Sequence, residues 1–249
     1  MATPVKVEAV ILRSLRYGEA DRILHLYAPE HGRIGAIAKG VRRSSSRFGG
    51  RLEPLTRSEL LLHRGRGDLF TITGAHTIAP YRRLREHRDA LDMAARACDA
   101  VGRMFAEGEP HPPVFHLLCN ELALLDAQPE HATHANQLAF RLKLLVAAGL
   151  APQLTSCAMC GEPDHLSGFS GAAGGVVCSA CEAGAFPLAQ ETHTFMVGAL
   201  SVPLAQTPPA TDLALRQAER AISETLEHHG GLQLRDAAPR RRVSGARRG

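Results

Sequence analysis

Residues 23–39 read ILHLYAPEHGRIGAIAK. Two apolar runs at 23–28 and 34–39 flank the segment 29–32, whose proline and glycine are typical of a turn, so this stretch predicts a β-hairpin. Similar strand-like runs lie on either side of it, at 5–12, 58–63 and 69–75. Five short strands, with no helix between them long enough for a crossover, predict a small closed or nearly closed barrel of the OB type.

After Pro80 the spacing of the apolar residues changes from alternation to steps of three, four and seven, which indicates an amphipathic helix. A second helix is predicted to begin at Pro112 and Pro113, because proline loses no hydrogen bond in the first helical turn. A third, over 133–148, is predicted to end at Gly149. The apolar face of the first helix is predicted to contain Leu84, Leu91, Ala95, Cys98, Val101 and Phe105.

Helical periodicity returns near 191–200 and again over 212–229. The predicted fold class is therefore α+β, with an N-terminal five-stranded OB-fold barrel followed by an α-helical domain that carries an inserted four-cysteine zinc loop. The predicted divisions are an OB-fold nucleic-acid-binding domain at 1–80, a helical domain at 81–235, the zinc-binding insertion at 155–185 within it, and a disordered basic tail at 236–249.

Four of the six cysteines form two CxxC pairs, Cys157 with Cys160 and Cys178 with Cys181. Their spacing is typical of a four-cysteine zinc site, so we predict one structural Zn²⁺ per chain. A redox dithiol and an iron–sulfur cluster are the alternatives. Four thiolate ligands leave no open coordination position, which argues against metal catalysis. The remaining two, Cys98 and Cys119, lie on apolar helical faces and are expected in the core.

The net charge of +4 conceals a strong polarity along the chain. Residues 1–88 carry a net charge of +9, residues 89–239 carry −10, and residues 240–249 carry +5. A basic N-terminal region suits a partner with many phosphates, because each phosphate neutralised releases condensed counterions. A solvated basic face is the alternative interpretation.

Residues 32–52 contain six basic residues and no acidic one. They follow a predicted strand and enter a run of serines at 44–46, so we expect a phosphate-contacting loop. Phe48 is a candidate to stack on a base, with burial in the barrel mouth as the alternative. The predicted DNA-binding residues are Lys39, Arg42, Arg43, Arg47, Arg51, Arg13, Arg16 and Phe48.

Signatures of catalysis and of membrane targeting are missing from the sequence. It contains no phosphate-binding P-loop, no GxSxG motif and no histidine followed two residues later by the glutamate of zinc deaminases. It shows neither a signal peptide nor an uninterrupted apolar stretch of membrane length. We therefore expect a soluble, cytoplasmic, nucleoid-associated protein that is not an enzyme and has no membrane partner.

Several motifs, taken in order, resemble those of the bacterial recombination mediator RecO family. They are YGEAD at 17–21, Gly32 followed by KGVRR at 39–43, LEP at 52–54, and LL at 144–145 with GLAP at 149–152 leading into Cys157. The resemblance implies a non-catalytic DNA repair protein that binds single- and double-stranded DNA and anneals strands coated by single-strand binding protein. It also implies that the protein works with RecR and so, indirectly, helps RecA to load.

Two features depart from the pattern of that family. The arginine-rich tail at 240–248 is either a further DNA contact or a solubilising extension. The helical domain is acidic, so a pocket for the acidic tail of single-strand binding protein would need a local basic patch, for which Arg141 and Lys143 are the candidates. The alternative functions are an RNA-binding or transcription-associated zinc-ribbon protein with an OB barrel, and a metal- or redox-responsive regulator.

Overall fold

The computed structural model describes residues 4–43, 48–65 and 67–238. Two predicted features lie outside these ranges, namely Arg47 and the part of the basic tail at 239–249.

Five strands form a closed barrel in the order β1-β2-β3-β5-β4. Neighbouring strands are antiparallel except β3 and β5, which are parallel, and β1 closes the barrel by pairing with β4. This arrangement confirms the predicted five-stranded barrel. The strands are β1 (Val5–Tyr17), β2 (Asp21–Ala28), β3 (Gly32–Ala38), β4 (Arg57–Arg64) and β5 (Phe70–Ala79).

The barrel interior is filled by alternate residues of these strands, as the period of two requires. Ile11, Leu24, Leu60 and Ile72 are among its most buried side chains. The first strand is longer than predicted, because its polar end continues to pair with β2 as far as Tyr17 opposite Asp21.

Within the part of the chain that the structure describes, five α-helices follow the barrel. Proline opens α2, and Thr133 caps α3 by accepting a hydrogen bond from the Asn136 backbone amide at 3.1 Å. At the other end of α3, Gly149 has a φ of +74°, and its amide donates to the carbonyl of Val146, so the predicted stop at this glycine is confirmed. The helices are α1 (Arg88–Met104), α2 (Pro112–Ala127), α3 (His134–Ala147), α4 (Gln190–Ser201) and α5 (Asp212–Thr225), which continues into a π-helical turn at Leu226–Gly230.

The buried face of α1 agrees with the predicted one except at Ala95, which is exposed, and Leu91, which is only partly buried. Leu84, Cys98, Val101 and Phe105 are buried as predicted, and Ala90, Met93, Ala94 and Ala97 are buried as well. Ala95 was misplaced because small alanines on several sides of α1 make the edge of its apolar face ambiguous in the sequence. Cys98 and Cys119 are both buried, as predicted.

The outer face of the barrel packs into the hydrophobic core of the helices, whereas the barrel interior forms a separate cluster. Val10 and Leu12 of β1 and Tyr27 of β2 belong to the same buried cluster as the helical residues. The rings of Tyr27 and Phe105 lie edge to face with their centroids 6.1 Å apart. The predicted domain division near residue 80 therefore remains a prediction, since the packing does not stop there.

The segment between α3 and α4 forms a small antiparallel sheet in the order β7-β6-β8. Phe169 of β6 and Val176 of β7 reach the helical core, so the insertion is anchored to it. Its strands are β6 (Leu166–Ser170), β7 (Gly175–Cys178) and β8 (Phe186–Pro187). Among the helices of the described part of the chain, none combines the length and apolar composition needed to cross a membrane.

Candidate metal centre and nucleic-acid interface

The four clustered cysteines meet at the edge of the small sheet. Their Sγ atoms all lie within 4.8 Å of one another, and those of Cys160 and Cys178 are 3.7 Å apart. Four sulfurs held tetrahedrally at a metal–sulfur distance of about 2.3 Å are separated by about 3.8 Å, so the arrangement fits a single tetrahedral ion. Cys157 and Cys178 are buried, whereas Cys160 is exposed.

Backbone turns present these sulfurs to a common centre. After the first pair the chain reverses at Gly161, whose φ is +81°, and the Gly161 amide donates to the Cys157 carbonyl at 2.8 Å. The backbone amides of Cys160 and Cys178 point toward the Cys157 sulfur and lower the pKa of that thiol to about 6. This local geometry stabilises a thiolate, which is the form that binds metal.

The other thiols cannot all ionise without a cation. Hydrogen bonding with the neighbouring sulfurs of Cys160 and Cys178 raises the pKa of Cys181 to about 12. Like charges so close to one another disfavour ionisation, and a divalent cation between them removes that penalty. The donor set therefore fits a thiolate-binding metal ion, with every coordination position supplied by the protein.

A second candidate site lies at one end of the barrel. The loop that follows β3 is tied to the β1–β2 loop, because Arg42 donates from its backbone amide to the Ala20 carbonyl and from Nη1 to the Glu19 carbonyl, each at 2.9 Å. The amide of Gly40 donates to Asp21 Oδ1 at 2.7 Å. These bonds fix the backbone of a basic loop and leave the side chains of Lys39 and Arg42 exposed.

The strand register brings a further exposed basic residue to the same end. Arg16 pairs with Arg22 and Arg22 with Ala38, so the ends of β1 and β3 lie together. We call this surface the basic barrel end and define it as Arg16, Lys39, Arg42 and Arg43, all of which are exposed.

Other predicted residues lie outside this group of four. Arg51 lies beside the start of β4, where its carbonyl accepts a hydrogen bond from Ser58 Oγ at 3.3 Å. Arg13 lies further back along β1, opposite His25. Phe48 is 2% exposed and belongs to the barrel core, so the burial alternative describes it and a stacking role does not fit this position.

Tyr17 is the aromatic residue that the sequence analysis missed. It is the last residue of β1 and is 54% exposed at the basic barrel end. Its place immediately before the Gly18 turn was the available signal, since a residue at a hairpin tip is far from the core.

Comparison with known protein families identifies the family to which this chain belongs. The model of the family described as "Recombination protein O N terminal" matches residues 1–81, and that described as "Recombination protein O C terminal" matches residues 85–237. The chain belongs to the RecO family. The expected family, with its N-terminal OB-fold and following helices, is therefore confirmed.

Curated relatives within the RecO family cover most of the chain. The DNA repair protein RecO of Rubrobacter xylanophilus is 39% identical over 220 residues, which is 85% of this chain and 88% of that protein. The DNA repair protein RecO of Anaeromyxobacter sp. strain K is 36% identical over 244 residues, 92% of this chain and 93% of that protein. The corresponding Nocardioides protein is 37% identical over 229 residues, 89% of this chain and 93% of that protein.

Of the two candidate residues for a basic pocket in the helical region, only Lys143 lies at a cavity. Arg141 is 3% exposed, donates to the Arg235 carbonyl and lies 3.7 Å from Glu219, so it is part of the core and not of a surface patch. Lys143 is half-buried and lines a cavity of about 330 Å³ together with Leu117, Leu124 and Leu204. The sequence could not separate the two residues, because they lie only two positions apart on α3.

Proposed function

We propose that this RecO-family protein is a non-enzymatic, DNA-binding recombination mediator that anneals complementary single strands and helps to load recombinase in DNA repair. The observation that carries the proposal is the basic barrel end, where four exposed cationic side chains lie together on a rigid scaffold. Annealing requires that two phosphate backbones approach each other, and neutralising their charge is a way to reduce the repulsion without any bond chemistry.

The proposed phosphate contacts are made by Lys39, Arg42, Arg43 and Arg16. Arg47, which lies outside the described residues, and Arg51, which lies beside the start of β4, are proposed as further contacts. Contacts of this kind depend on the backbone and not on the bases, so we expect weak sequence preference and a strong dependence on salt.

The metal proposed at the four cysteines is a single structural Zn²⁺. A closed four-thiolate site binds zinc with high affinity and contributes directly to folding. Its role here would be to hold the small sheet, and through Phe169 and Val176 the adjoining core. An iron–sulfur cluster is the alternative for the same four sulfurs.

The proposed partners are single- and double-stranded DNA, single-strand binding protein, RecR and, indirectly, RecA, acting in the cytoplasm at the nucleoid. For the acidic tail of single-strand binding protein we propose the cavity beside Lys143. That lysine is the cation available there, with its Nζ donating to the Leu200 carbonyl at 3.2 Å, and Leu117, Leu124 and Leu204 supply apolar walls. A cation beside an apolar groove suits a peptide that ends in an apolar residue and a carboxylate.

The experiment that tests the function measures annealing of complementary oligonucleotides precoated with the cognate single-strand binding protein. The wild-type chain should accelerate annealing, and Arg42→Glu with Arg43→Glu should abolish the acceleration. Arg216→Glu is a matched charge reversal on the exposed face of α5 and should leave it unchanged. Equal rates with and without the wild-type chain would overturn the proposal.

A competition between RNA and DNA for the protein tests the alternative RNA-binding function. The test is needed because a cationic surface can bind any phosphate backbone. A strong preference of the wild-type chain for structured RNA over single-stranded DNA would favour the RNA-binding function.

A further inference from the structure

A cavity of about 440 Å³ lies where the outer face of the barrel meets α1. Arginines approach it from four parts of the fold: Arg13 from β1, Arg33 from β3, Arg103 from α1, and Arg235 from the segment after the π-helical turn. We call this space the junction cleft. The helical half of the chain, although acidic overall, therefore contributes two of its arginines.

The acids near the cleft do not balance these cations. Asp99 lies 2.8 Å from Arg103 Nε and 3.6 Å from Arg235 Nε, so one carboxylate serves two guanidinium groups. Glu107 lies 3.6 Å from Arg33 Nε. Four guanidinium groups thus face two carboxylates, which leaves an excess of positive charge.

Two of the arginines have unused hydrogen-bonding capacity. Arg33 donates from Nη1 to the Gly102 carbonyl at 2.6 Å, but its Nε is buried and makes no hydrogen bond within the described residues. The Arg13 side chain makes neither a hydrogen bond nor an ion pair with any residue that the structure describes, although the Arg13 backbone pairs with His25 in the sheet. Buried donors without acceptors are costly, and an anion in the cleft would supply the missing acceptor.

The pKa of the neighbouring His25 is affected by the same excess of positive charge. Burial, followed by the positive charges of Arg13 and Arg33, lowers the pKa of His25. The field in the cleft therefore opposes a further cation and favours an anion.

The cleft is connected to the basic barrel end by the outer face of the barrel. Leu24 and Ala36 point into the barrel core, so Ile23 and Ile37, their neighbours in sequence, point outward and are partly exposed. Leu15 lies opposite Ile23 and Ile23 opposite Ile37, so the three form an apolar strip across β1, β2 and β3 that crosses β1 between Arg13 and Tyr17. Along β1, Arg13 and Tyr17 are about 13 Å apart, at about 3.3 Å per residue of a strand.

We propose that the junction cleft binds a backbone phosphate of a single DNA strand that continues across this strip from the basic barrel end. Two cationic sites separated by apolar and aromatic side chains form the kind of groove on which unpaired bases lie while the phosphates are neutralised. The planar fork of arginine matches a phosphate group with two parallel hydrogen bonds. The inference rests on the proposed DNA-binding function and extends it, because it makes the helical half of the chain part of the DNA interface.

Arg13→Ala tests the cleft with little risk to folding, because Arg13 has no partner to lose among the described residues. Affinity for a dye-labelled oligothymidylate is measured by anisotropy over a series of salt concentrations. The slope of log K against log salt should become shallower by about 0.7 for each phosphate contact removed from a single strand. Arg13→Ala with Arg103→Ala should reduce the slope at least as much, whereas Arg216→Ala should leave it unchanged.

The outcomes separate this inference from the function on which it rests. If reversal of Arg42 and Arg43 weakens DNA binding but Arg13→Ala and the double variant retain the wild-type slope, the cleft proposal is overturned and the DNA-binding function stands. If the wild-type chain has no affinity for DNA, the function itself is overturned. If Arg13→Ala weakens binding of an acidic peptide and not of DNA, the cleft is a peptide site and the proposal is wrong.

Discussion

The sulfur atoms of Cys160 and Cys178 lie 3.7 Å apart, although they belong to different CxxC pairs and are separated by the whole of β6 and most of β7. The contact joins the two pairs across the small sheet, together with backbone hydrogen bonds such as that from the Ala158 amide to the Val176 carbonyl at 2.8 Å. A metal ion held among these sulfurs would therefore stabilise the order of the small sheet.

Replacement of one ligand should release the metal. Cys160→Ser should lower the zinc content from one ion per chain to a small fraction and lower the thermal midpoint, because metal ligation contributes to folding. Elemental analysis of anaerobically purified protein and a melting curve measure both effects. Cys119→Ala, which removes a cysteine outside the cluster, should keep the full metal content; a wild-type chain with far less than one zinc, or with the visible absorption of an iron–sulfur cluster, would contradict the assignment.

Gly32 should tolerate no side chain. A Cβ there would lie 2.0 Å from the Glu109 carbonyl oxygen, and the backbone φ of +62° already disfavours other residues. Gly32→Ala should therefore lower the free energy of unfolding by well over the ~1 kcal/mol that the φ angle alone would cost. Gly18→Ala is the matched control, because its φ is +55° and no atom lies within 4 Å of the added carbon. Equal losses, measured by denaturant unfolding, would show that the close approach to Glu109 does not matter.

A buried carboxyl should make stability depend on pH. Glu121 is completely buried, with both oxygens accepting from Asn136 Nδ2, and burial raises its pKa from 4.5 to about 8. Between these values the folded chain keeps a proton that the unfolded chain has released, so the free energy of unfolding falls as pH rises, by at most about 1.4 kcal/mol per pH unit. The contribution is complete below pH 4.5 and is lost once pH passes 8.

Glu121→Gln isolates this effect. Its free energy of unfolding should decline less than that of the wild type between pH 5 and pH 8, as measured by denaturant titration at several pH values. Glu130→Gln, at an exposed position, should follow the wild-type curve. Parallel curves for the wild type and Glu121→Gln would mean that Glu121 is ionised in the folded state.

Truncation of Tyr17 and of Phe48 should have opposite effects on DNA affinity and on stability. Tyr17→Ala should weaken single-strand binding by about 1–3 kcal/mol with little change in stability, since an exposed ring is available for stacking. Phe48→Ala should cost about 3–5 kcal/mol of stability, because it leaves a cavity in the barrel core. Anisotropy titrations and denaturant unfolding distinguish the two effects, and a Tyr17→Ala chain with unchanged affinity would refute the stacking role.

Charge reversal at Lys143, in the cavity of the helical region, should weaken binding of a peptide and leave DNA binding unchanged. Lys143→Glu should weaken binding of a peptide with the acidic C-terminal sequence of single-strand binding protein at least tenfold, through repulsion of its carboxylates. DNA affinity should stay at the wild-type value, and Arg216→Glu should change neither. Calorimetric titration showing equal peptide affinity in both variants would place the peptide elsewhere.

Much of the fold could be predicted because the decisive signals are local. The hairpin around Gly32, the stop at Gly149 and the two CxxC pairs each depend on residues close together in sequence. The extension of β1 to Tyr17 was missed because the strand slips in register between Ile11 and Arg13, which interrupts the alternation.

The grouping of the basic residues was harder to predict than their presence. Arg16 is far from Arg42 in sequence and joins it only through the pairing of β1 with β2 and the bonds of Arg42 to the carbonyls of Glu19 and Ala20. Arg51 is closer to Arg42 in sequence, yet the short 3₁₀ helix at Gly49–Leu52 that contains it lies beside the start of β4. The burial of Phe48 likewise depends on packing against barrel residues that are distant in sequence.

The edge-to-face contact between Tyr27 and Phe105 has a consequence for how such chains can evolve and be recombined. If the barrel of one relative were joined to the helices of another, the surfaces that meet at this contact would not match, so the two halves should be inherited together. Substitutions on one side of the contact are then expected to be accompanied by compensating substitutions on the other. Heat or denaturant should unfold both halves in a single cooperative step.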